Sequence, residues 1–193
     1  MYLFFDTNAV GFPKSWNKPA SDTFNWPRMT QLAWLIINED KKPVAIKSYL
    51  IQPEGFEIPA ETENYNGIST AIAKEKGVPL EQALKEFAAA INENKYLIAH
   101  NLNFDQKVVG AEFIRKNIPN RLEHMESICV MQEGTYICKL KGKGGKLKWP
   151  TLSELYLELF KKKLLESQDA TTDVKATAAT FFALVDLDEI DLF

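Results

Sequence analysis

The order of the apolar segments constrains the fold of this chain more than any other feature. Three strand-like segments come first: Tyr2–Asp6, Met29–Asn38 and Val44–Ile51. The last two are joined by "EDKKP", a polar link typical of a hairpin. A helical pattern then begins near Leu80 and is followed by a short apolar strand at Tyr96–Ala99.

The second half of the chain continues this alternation. A helix is predicted from about Asp105, a strand at His124–Met131, a helix at Leu152–Leu159 and a last long helix at Asp169–Val185. Strands that come first and then alternate with helices favour an α/β layered fold with a mixed sheet.

Length, composition and charge narrow the class of protein. The chain has 193 residues, of which 46% are hydrophobic, so one domain with a sizeable core is expected. Its net charge is −3, which excludes a generally basic nucleic-acid coat. A polyanionic partner would therefore have to bind a local basic patch.

Cysteine usage and the N-terminus indicate the compartment. Cys129 and Cys138 do not form a CxxC pair, and this favours a reduced, intracellular setting. No apolar run is long enough to cross a membrane, and the N-terminus lacks the features of a signal peptide. We expect a soluble, cytoplasmic protein with no membrane partner.

Three aspartates occur where apolar residues are expected. Asp6 ends the first strand, Asp105 opens a helix, and Asp173 lies on the apolar face of the last helix. Singly, each has an ordinary explanation as a turn former, a helix cap or the partner of a lysine. Together they suggest a site for Mg²⁺ or Mn²⁺, because hard cations prefer oxygen ligands and a metal pair can cleave phosphodiesters.

Five sequence segments resemble one family, and they occur in its order. "FFDTNAVG" resembles the motif F-D-x-E-T-T-G, "AHNLNFDQKVV" matches H-N-x-x-F-D, and "SQDATTDVKAT" resembles H-D-A-x-x-D. "NGIS" and "WPTLSELYLELF" resemble segments that lie between these motifs. The chain is thus similar to the DnaQ-like 3′→5′ exonucleases, the superfamily of the proofreading subunit of bacterial DNA polymerase III.

The resemblance implies a fold, a site and a substrate. The fold is ribonuclease H-like, with a mixed five-stranded sheet flanked by helices. Asp6, Asp105 and Asp173 match three of the four acids that hold two divalent ions, Mg²⁺ or Mn²⁺. The expected partner is nucleic acid with single-stranded 3′ ends, DNA being favoured, and a DNA polymerase is a second expected partner. Thr7, His100 and Asn101 match positions near the substrate, although His100 and Asn101 could instead order the loop that carries Asp105.

Two catalytic positions depart from the family pattern. Asn8 stands where the family has Glu, and Gln168 stands where it has the His that deprotonates water. An amide oxygen can bind a metal but brings no charge, and glutamine cannot act as a base near neutral pH. The predicted catalytic residues are therefore Asp6, Asn8, Asp105, Gln168 and Asp173. All of them except Gln168 are also predicted metal ligands. Asp169 is an alternative base.

These departures predict weakened chemistry. Losing a general base typically costs a factor of about 10²–10⁴ in rate. We expect a slowed exonuclease. One alternative is a nucleic-acid- or replisome-binding protein that has lost catalysis on the same fold, and another is an exoribonuclease.

A lysine-rich segment, Lys139–Trp149, is the local basic patch. It carries five lysines and three glycines, in "KLKGKGGKLKW". Lys141, Lys143 and Lys146 are candidates for phosphate contacts, and Trp149 could stack on a base. The alternative is a solvated hairpin loop.

The C-terminal end forms a separate candidate site. We predict an exonuclease-like domain over residues 1–185 and a tail over 186–193. The tail resembles the peptide by which bacterial replication proteins bind the sliding clamp, Q-L-[SD]-L-F. Its residues are Glu189, Ile190, Asp191, Leu192 and Phe193. The alternative is that the tail packs on its own domain.

Overall fold

A computed structural model describes residues 1–164 and 169–192 and shows an α/β fold. Five strands form one sheet in the order β3-β2-β1-β4-β5. The strands are β1 Tyr2–Ala9, β2 Met29–Ile37, β3 Pro43–Leu50, β4 Tyr96–Ala99 and β5 Glu126–Cys129. β2 is antiparallel to β1 and β3, whereas β4 is parallel to β1 and β5. The predicted mixed five-stranded sheet is confirmed.

Helices cover both faces of this sheet. They are α1 Ala60–Asn66, α2 Thr70–Lys76, α3 Leu80–Glu93, α4 Leu102–Arg115, α5 Val130–Glu133, α6 Thr135–Cys138, α7 Leu152–Phe160 and α8 Ala170–Asp186. Two 3₁₀ turns lie at Leu122–His124 and Lys143–Gly145. Among the described helices, none is both long and apolar enough to span a membrane.

Successive side chains of β1 point to opposite faces of the sheet, so they pack in two separate core layers. Phe5 points to the layer built with α3 and α4, where it contacts Phe87. Phe4 points to the opposite layer and packs edge-on against Phe181 of α8. Because β2 lies between covered faces, all nine of its residues are buried, and its sequence shows an apolar run interrupted by few polar side chains.

Two predicted boundaries were wrong. β1 does not end at Asp6, because Thr7 and Asn8 continue to pair with β2 as far as Ala9. The fifth strand is shorter than His124–Met131, since a 3₁₀ turn precedes it and α5 begins at Val130. The segment between β3 and α3 contains α1 and α2, and Ser69 caps α2 by accepting a hydrogen bond from the Ile72 N–H at 3.1 Å.

The segment after α8 packs on the domain. The Ile190 side chain is 6% exposed and lies in the core layer of α8, and Leu192 packs against the same layer. Phe193, the last residue of the predicted clamp-binding peptide, lies outside the described residues. The described part of the tail therefore has the packing that the alternative interpretation expects.

Candidate active site

The predicted aspartates line one cavity of about 480 Å³ at the carboxyl ends of β1 and β4. Asp6 is on β1, Asp105 is in the first turn of α4, and Asp173 is in the first turn of α8. Asn8 follows Asp6 by two positions, so both side chains lie on the same face of β1. Segments that are distant in sequence thus converge on rigid elements, as a binding site requires.

Asp105 is held in place by Thr7. The Thr7 hydroxyl donates to Asp105 Oδ1 at 2.7 Å, and the Thr7 backbone N–H donates to the same oxygen at 3.1 Å. Asp105 is only 3% exposed. These two hydrogen bonds fix the carboxylate at the floor of the cavity and stabilise its charged form. A substrate contact by Thr7 stays a prediction.

The carboxylates destabilise one another's ionised forms. Burial is the main reason that the pKa of Asp105 rises to about 7 despite the Thr7 hydrogen bonds, and the charge of Asp173 adds to the rise. Burial and the nearby Asp169 raise the pKa of Asp173 to about 6. The pKa of Asp6 rises because of burial and the charges of Asp105, Asp173 and Asp169. The cavity therefore disfavours ionisation of its carboxylates, and a bound cation would favour their charged forms.

The donor chemistry of this cavity fits hard divalent cations, with one restriction. In residues 1–164 and 169–192, no group of three or more His, Cys, Asp or Glu side chains is arranged to hold a metal ion. Mg²⁺ commonly binds through one or two carboxylates, retained water and substrate phosphates. Asp6, Asp105 and Asp173 suit that mode, in which the substrate completes the coordination.

The two departures from the family pattern have different outcomes. Asn8 lines the cavity, and its Nδ2 donates to Gln31 Oε1 at 2.9 Å across the β1–β2 ladder. Gln168 lies outside the described residues, so its predicted position is untested. The neighbouring Asp169 accepts a hydrogen bond from Gln31 Nε2 at 2.7 Å.

Aromatic side chains form the outer wall of the cavity. Phe12 is 80% exposed, Trp16 is 46% exposed and Tyr65 is 72% exposed. Phe12 and Trp16 contact Phe104, with ring centroids 6.5 and 5.9 Å apart. Exposed ring faces beside a group of carboxylates suit nucleobase stacking.

A second cavity of about 720 Å³ adjoins the first. Trp16 and Asn101 line both cavities, and Trp149 lines only the second. Trp149 is 59% exposed. The predicted stacking residue is thereby brought to a groove continuous with the carboxylate cavity.

The remaining predicted residues lie elsewhere. His100 is buried, with Nε2 3.0 Å from the carbonyl oxygen of Pro150, and burial lowers its pKa to about 4. It ties the loop before α4 to the end of the lysine-rich segment. Lys141, Lys143 and Lys146 are exposed on a small hairpin closed by the Lys141–Leu147 bridge, and they line neither of the two cavities.

Four residues of this region were missed by the sequence interpretation: Phe12, Trp16, Tyr65 and Gln31. Phe12 and Trp16 belong to the loop between β1 and β2, where a high density of aromatic residues was the available signal. In the sequence, Gln31 is one of the few polar residues in the apolar strand "MTQLAWLII", and nothing else marks it.

Comparison with known proteins identifies relatives of this fold. A family model for RNase T, described as an exonuclease, matches residues 5–181. No curated protein matches the chain at a significant level.

Solved structures of exonuclease I share the architecture. Escherichia coli exonuclease I in complex with a dT13 oligonucleotide is 17% identical, with a TM-score of 0.70, and the match covers 96% of this chain and 40% of that one. The enzyme from Methylocaldum szegediense is also 17% identical, with a TM-score of 0.74 and the same two coverages. The chain therefore spans about 40% of the length of these proteins.

Proposed function

Because the chain belongs to the RNase T family of exonucleases, we propose that it removes nucleotides from the 3′ ends of single-stranded DNA. The observation that carries this proposal is the convergence of Asp6, Asp105 and Asp173 on one cavity with an aromatic wall. Two Mg²⁺ or Mn²⁺ ions bound here would activate water and stabilise the leaving oxygen. The relatives of known structure include complexes with single-stranded DNA oligonucleotides, which supports DNA as the substrate.

The residues of the site have two proposed roles, cation binding and base stacking. Asp6, Asp105 and Asp173 would hold the cations, with the Asn8 amide oxygen as a weaker ligand. Phe12 and Tyr65, whose rings are exposed at the cavity, would stack on the terminal bases. These contacts orient the scissile phosphate against the carboxylates, which is the main contribution that a protein makes to such a reaction.

The path of the strand follows the second cavity. Nucleotides upstream of the 3′ end would pass between Trp16 and Trp149, and their phosphates would approach Lys141, Lys143 and Lys146. The strand would thus run from the acidic cavity through the second cavity toward the basic hairpin, whose lysines line neither cavity. This route accommodates a single strand without base-specific contacts.

Slowed catalysis is part of the proposal. Asn8 brings no negative charge to the cavity, and Gln168 supplies no base near neutral pH. A second candidate function is a nucleic-acid-binding protein that has lost hydrolysis, which the Asn8 side chain bonded to Gln31 supports. An exoribonuclease is a third, which a contact to the 2′-hydroxyl would distinguish from the first.

One experiment separates these candidates. A 5′-labelled single-stranded DNA and its RNA counterpart are incubated with Mg²⁺ or Mn²⁺, with the parent, with Asp105→Asn and with the double reversion Asn8→Glu/Gln168→His. We expect stepwise shortening of DNA from the 3′ end by the parent and none by Asp105→Asn. Binding without cleavage in the parent, with cleavage in the reverted protein, would establish the lapsed function instead.

A polymerase or clamp partner is a further proposal. Clamp binding through residues 189–193 would require Ile190 and Leu192 to leave the core layer of α8. A chain that ends at residue 188 should then lose binding to a purified sliding clamp. Equal clamp binding by the full and shortened chains would remove this proposal. Residues 1–185 as the exonuclease domain and a cytoplasmic location also stay proposals.

A further inference from the structure

Gln31 is a buried amide in an apolar strand, and its donors and acceptor are all engaged. Gln31 is only 6% exposed. Nε2 donates to Ser48 Oγ at 3.0 Å and to Asp169 Oδ1 at 2.7 Å. Oε1 accepts from Asn8 Nδ2 at 2.9 Å and from the Ala170 backbone N–H at 3.3 Å. The amide therefore joins β1, β2, β3 and the start of α8.

The partners of Gln31 fix which way its amide points. An ionised Asp169 carboxylate can only accept, so it must face Nε2, and the Ala170 N–H can only donate, so it must face Oε1. Position 8 consequently faces Oε1 and needs a donor. Asn8 supplies that donor, whereas an ionised glutamate at position 8 would place two acceptors against each other. Asn8 and Asp169 are thus chemically matched through Gln31.

We propose that Asp169, which borders the cavity through the Gln31–Asn8 hydrogen bonds rather than lining it, supplies a further carboxylate to the cation site in place of the glutamate absent at position 8, with Gln31 as the positioning residue that matches the two. This inference rests on the proposed function. Asp169 lies one turn before Asp173, and its backbone oxygen accepts from the Asp173 N–H at 3.2 Å. Its negative charge raises the pKa of both Asp6 and Asp173, as expected for a carboxylate beside them. The acidic charge of the site is relocated from β1 to the start of α8.

Manganese binding tests the role of Asp169. Binding is measured by titration calorimetry and by the EPR signal of free Mn²⁺, with a short single-stranded DNA present. Asp169→Asn keeps the acceptor for Gln31 and should weaken Mn²⁺ binding by about 10–100-fold. The control, Asp186→Asn, removes the same charge from the other end of α8 and should leave binding at the parent value.

The hydrogen-bond pairing of Asn8 and Asp169 through Gln31 is tested separately, by thermal stability without metal. Asn8→Glu should lower Tm by roughly 5 °C, because an acceptor is left facing Oε1. In the double variant Asn8→Glu/Asp169→Asn the Gln31 amide can rotate to donate to the glutamate at the cost of the 3.3 Å bond from the Ala170 N–H, so part of that loss should be recovered. Additive changes in Tm would contradict the coupling.

The outcomes distinguish failure of the Asp169 assignment from failure of the proposed function on which it rests. If the parent binds no Mn²⁺ with or without DNA, the proposed function and this inference both fail. If Asp105→Asn abolishes binding but Asp169→Asn leaves it unchanged, only the assignment of Asp169 is overturned. Weakened binding in Asp169→Asn together with partial recovery of Tm in the double variant supports it.

Discussion

The carboxylate cavity and the lysine-rich hairpin are opposites in construction. The cavity is assembled from β1, α4 and α8, and its Asp105 is buried and doubly hydrogen-bonded. The hairpin is one local segment, residues 139–149, with exposed lysines and glycines. Rigid, distant supports give a site precise geometry, whereas a local exposed loop gives charge without fixed geometry.

This difference predicts that the two regions control different quantities. Changes in the cavity should alter hydrolysis and cation binding and have little effect on the salt dependence of DNA binding. Changes in the hairpin should do the reverse, because phosphate contacts by mobile lysines act through the release of counterions. The measurements below are arranged from the largest expected effect to the smallest.

Removal of one buried acid should have the largest effect. Asp105→Asn keeps an acceptor for Thr7 but removes the charge, so hydrolysis of single-stranded DNA should fall at least about 100-fold. DNA binding measured by fluorescence anisotropy should keep its salt slope. Glu93→Gln, an exposed change of the same kind, serves as the control. A loss of activity in both variants would show a general charge effect and not a site.

Neutralising the hairpin should affect binding instead. With Lys141, Lys143 and Lys146 changed to Gln, the slope of log K against log salt should become shallower by about 2, and affinity near 0.1 M salt should fall by about 10–100-fold. The rate at saturating DNA should not change. The matched control changes three exposed lysines elsewhere, Lys42, Lys74 and Lys76. An equal change of slope in that control would show that only net charge matters.

The contrast also explains what the sequence could reveal. The strands and long helices were predictable because their apolar periodicity is strong, and the ordered motifs pointed to Asp6, Asp105 and Asp173. The hairpin was predictable as a basic local segment because its lysines are adjacent in the chain. Each of these signals is contained within a short stretch or a fixed order.

The Gln31 connection could not be predicted in this way. Its partners at positions 8 and 169 are 23 and 138 residues away, so only the folded chain brings them together. The continuation of β1 past Asp6 was missed for a related reason. Asp6 and Asn8 are poor strand signals, but the pairing of Thr7 with Leu32 and of Asn8 with Gln31 outweighs their local preference.

Thr7 offers a finer test of the rigid cavity. Thr7→Val removes the hydroxyl that donates to Asp105 at 2.7 Å and leaves only the backbone N–H. A hydrogen bond to a charged group contributes about 1.5–3 kcal/mol, so kcat should fall by roughly tenfold or more while KM changes little. Thr7→Ser should restore most of the activity. A higher KM at unchanged kcat would instead support the predicted substrate contact.

His100 joins the two regions, and its titration gives the smallest expected effect. Its pKa in the folded protein is about 4, below the ordinary 6.5, because burial disfavours the charged ring. The unfolded chain therefore binds more protons than the folded one as the pH falls, and the stability that the neutral ring provides above pH 6.5 is lost on acidification. Between pH 8 and pH 6 this should cost about 0.8 kcal/mol of unfolding free energy. The cavity carboxylates titrate in the same pH range, but they do so equally in every variant. Urea denaturation should therefore show the loss as a difference between the parent and His100→Asn, and no such difference between the parent and His124→Gln, since the exposed His124 is the chain's other histidine. An identical pH dependence in the parent and in His100→Asn would remove His100 as the titrating link between cavity and hairpin.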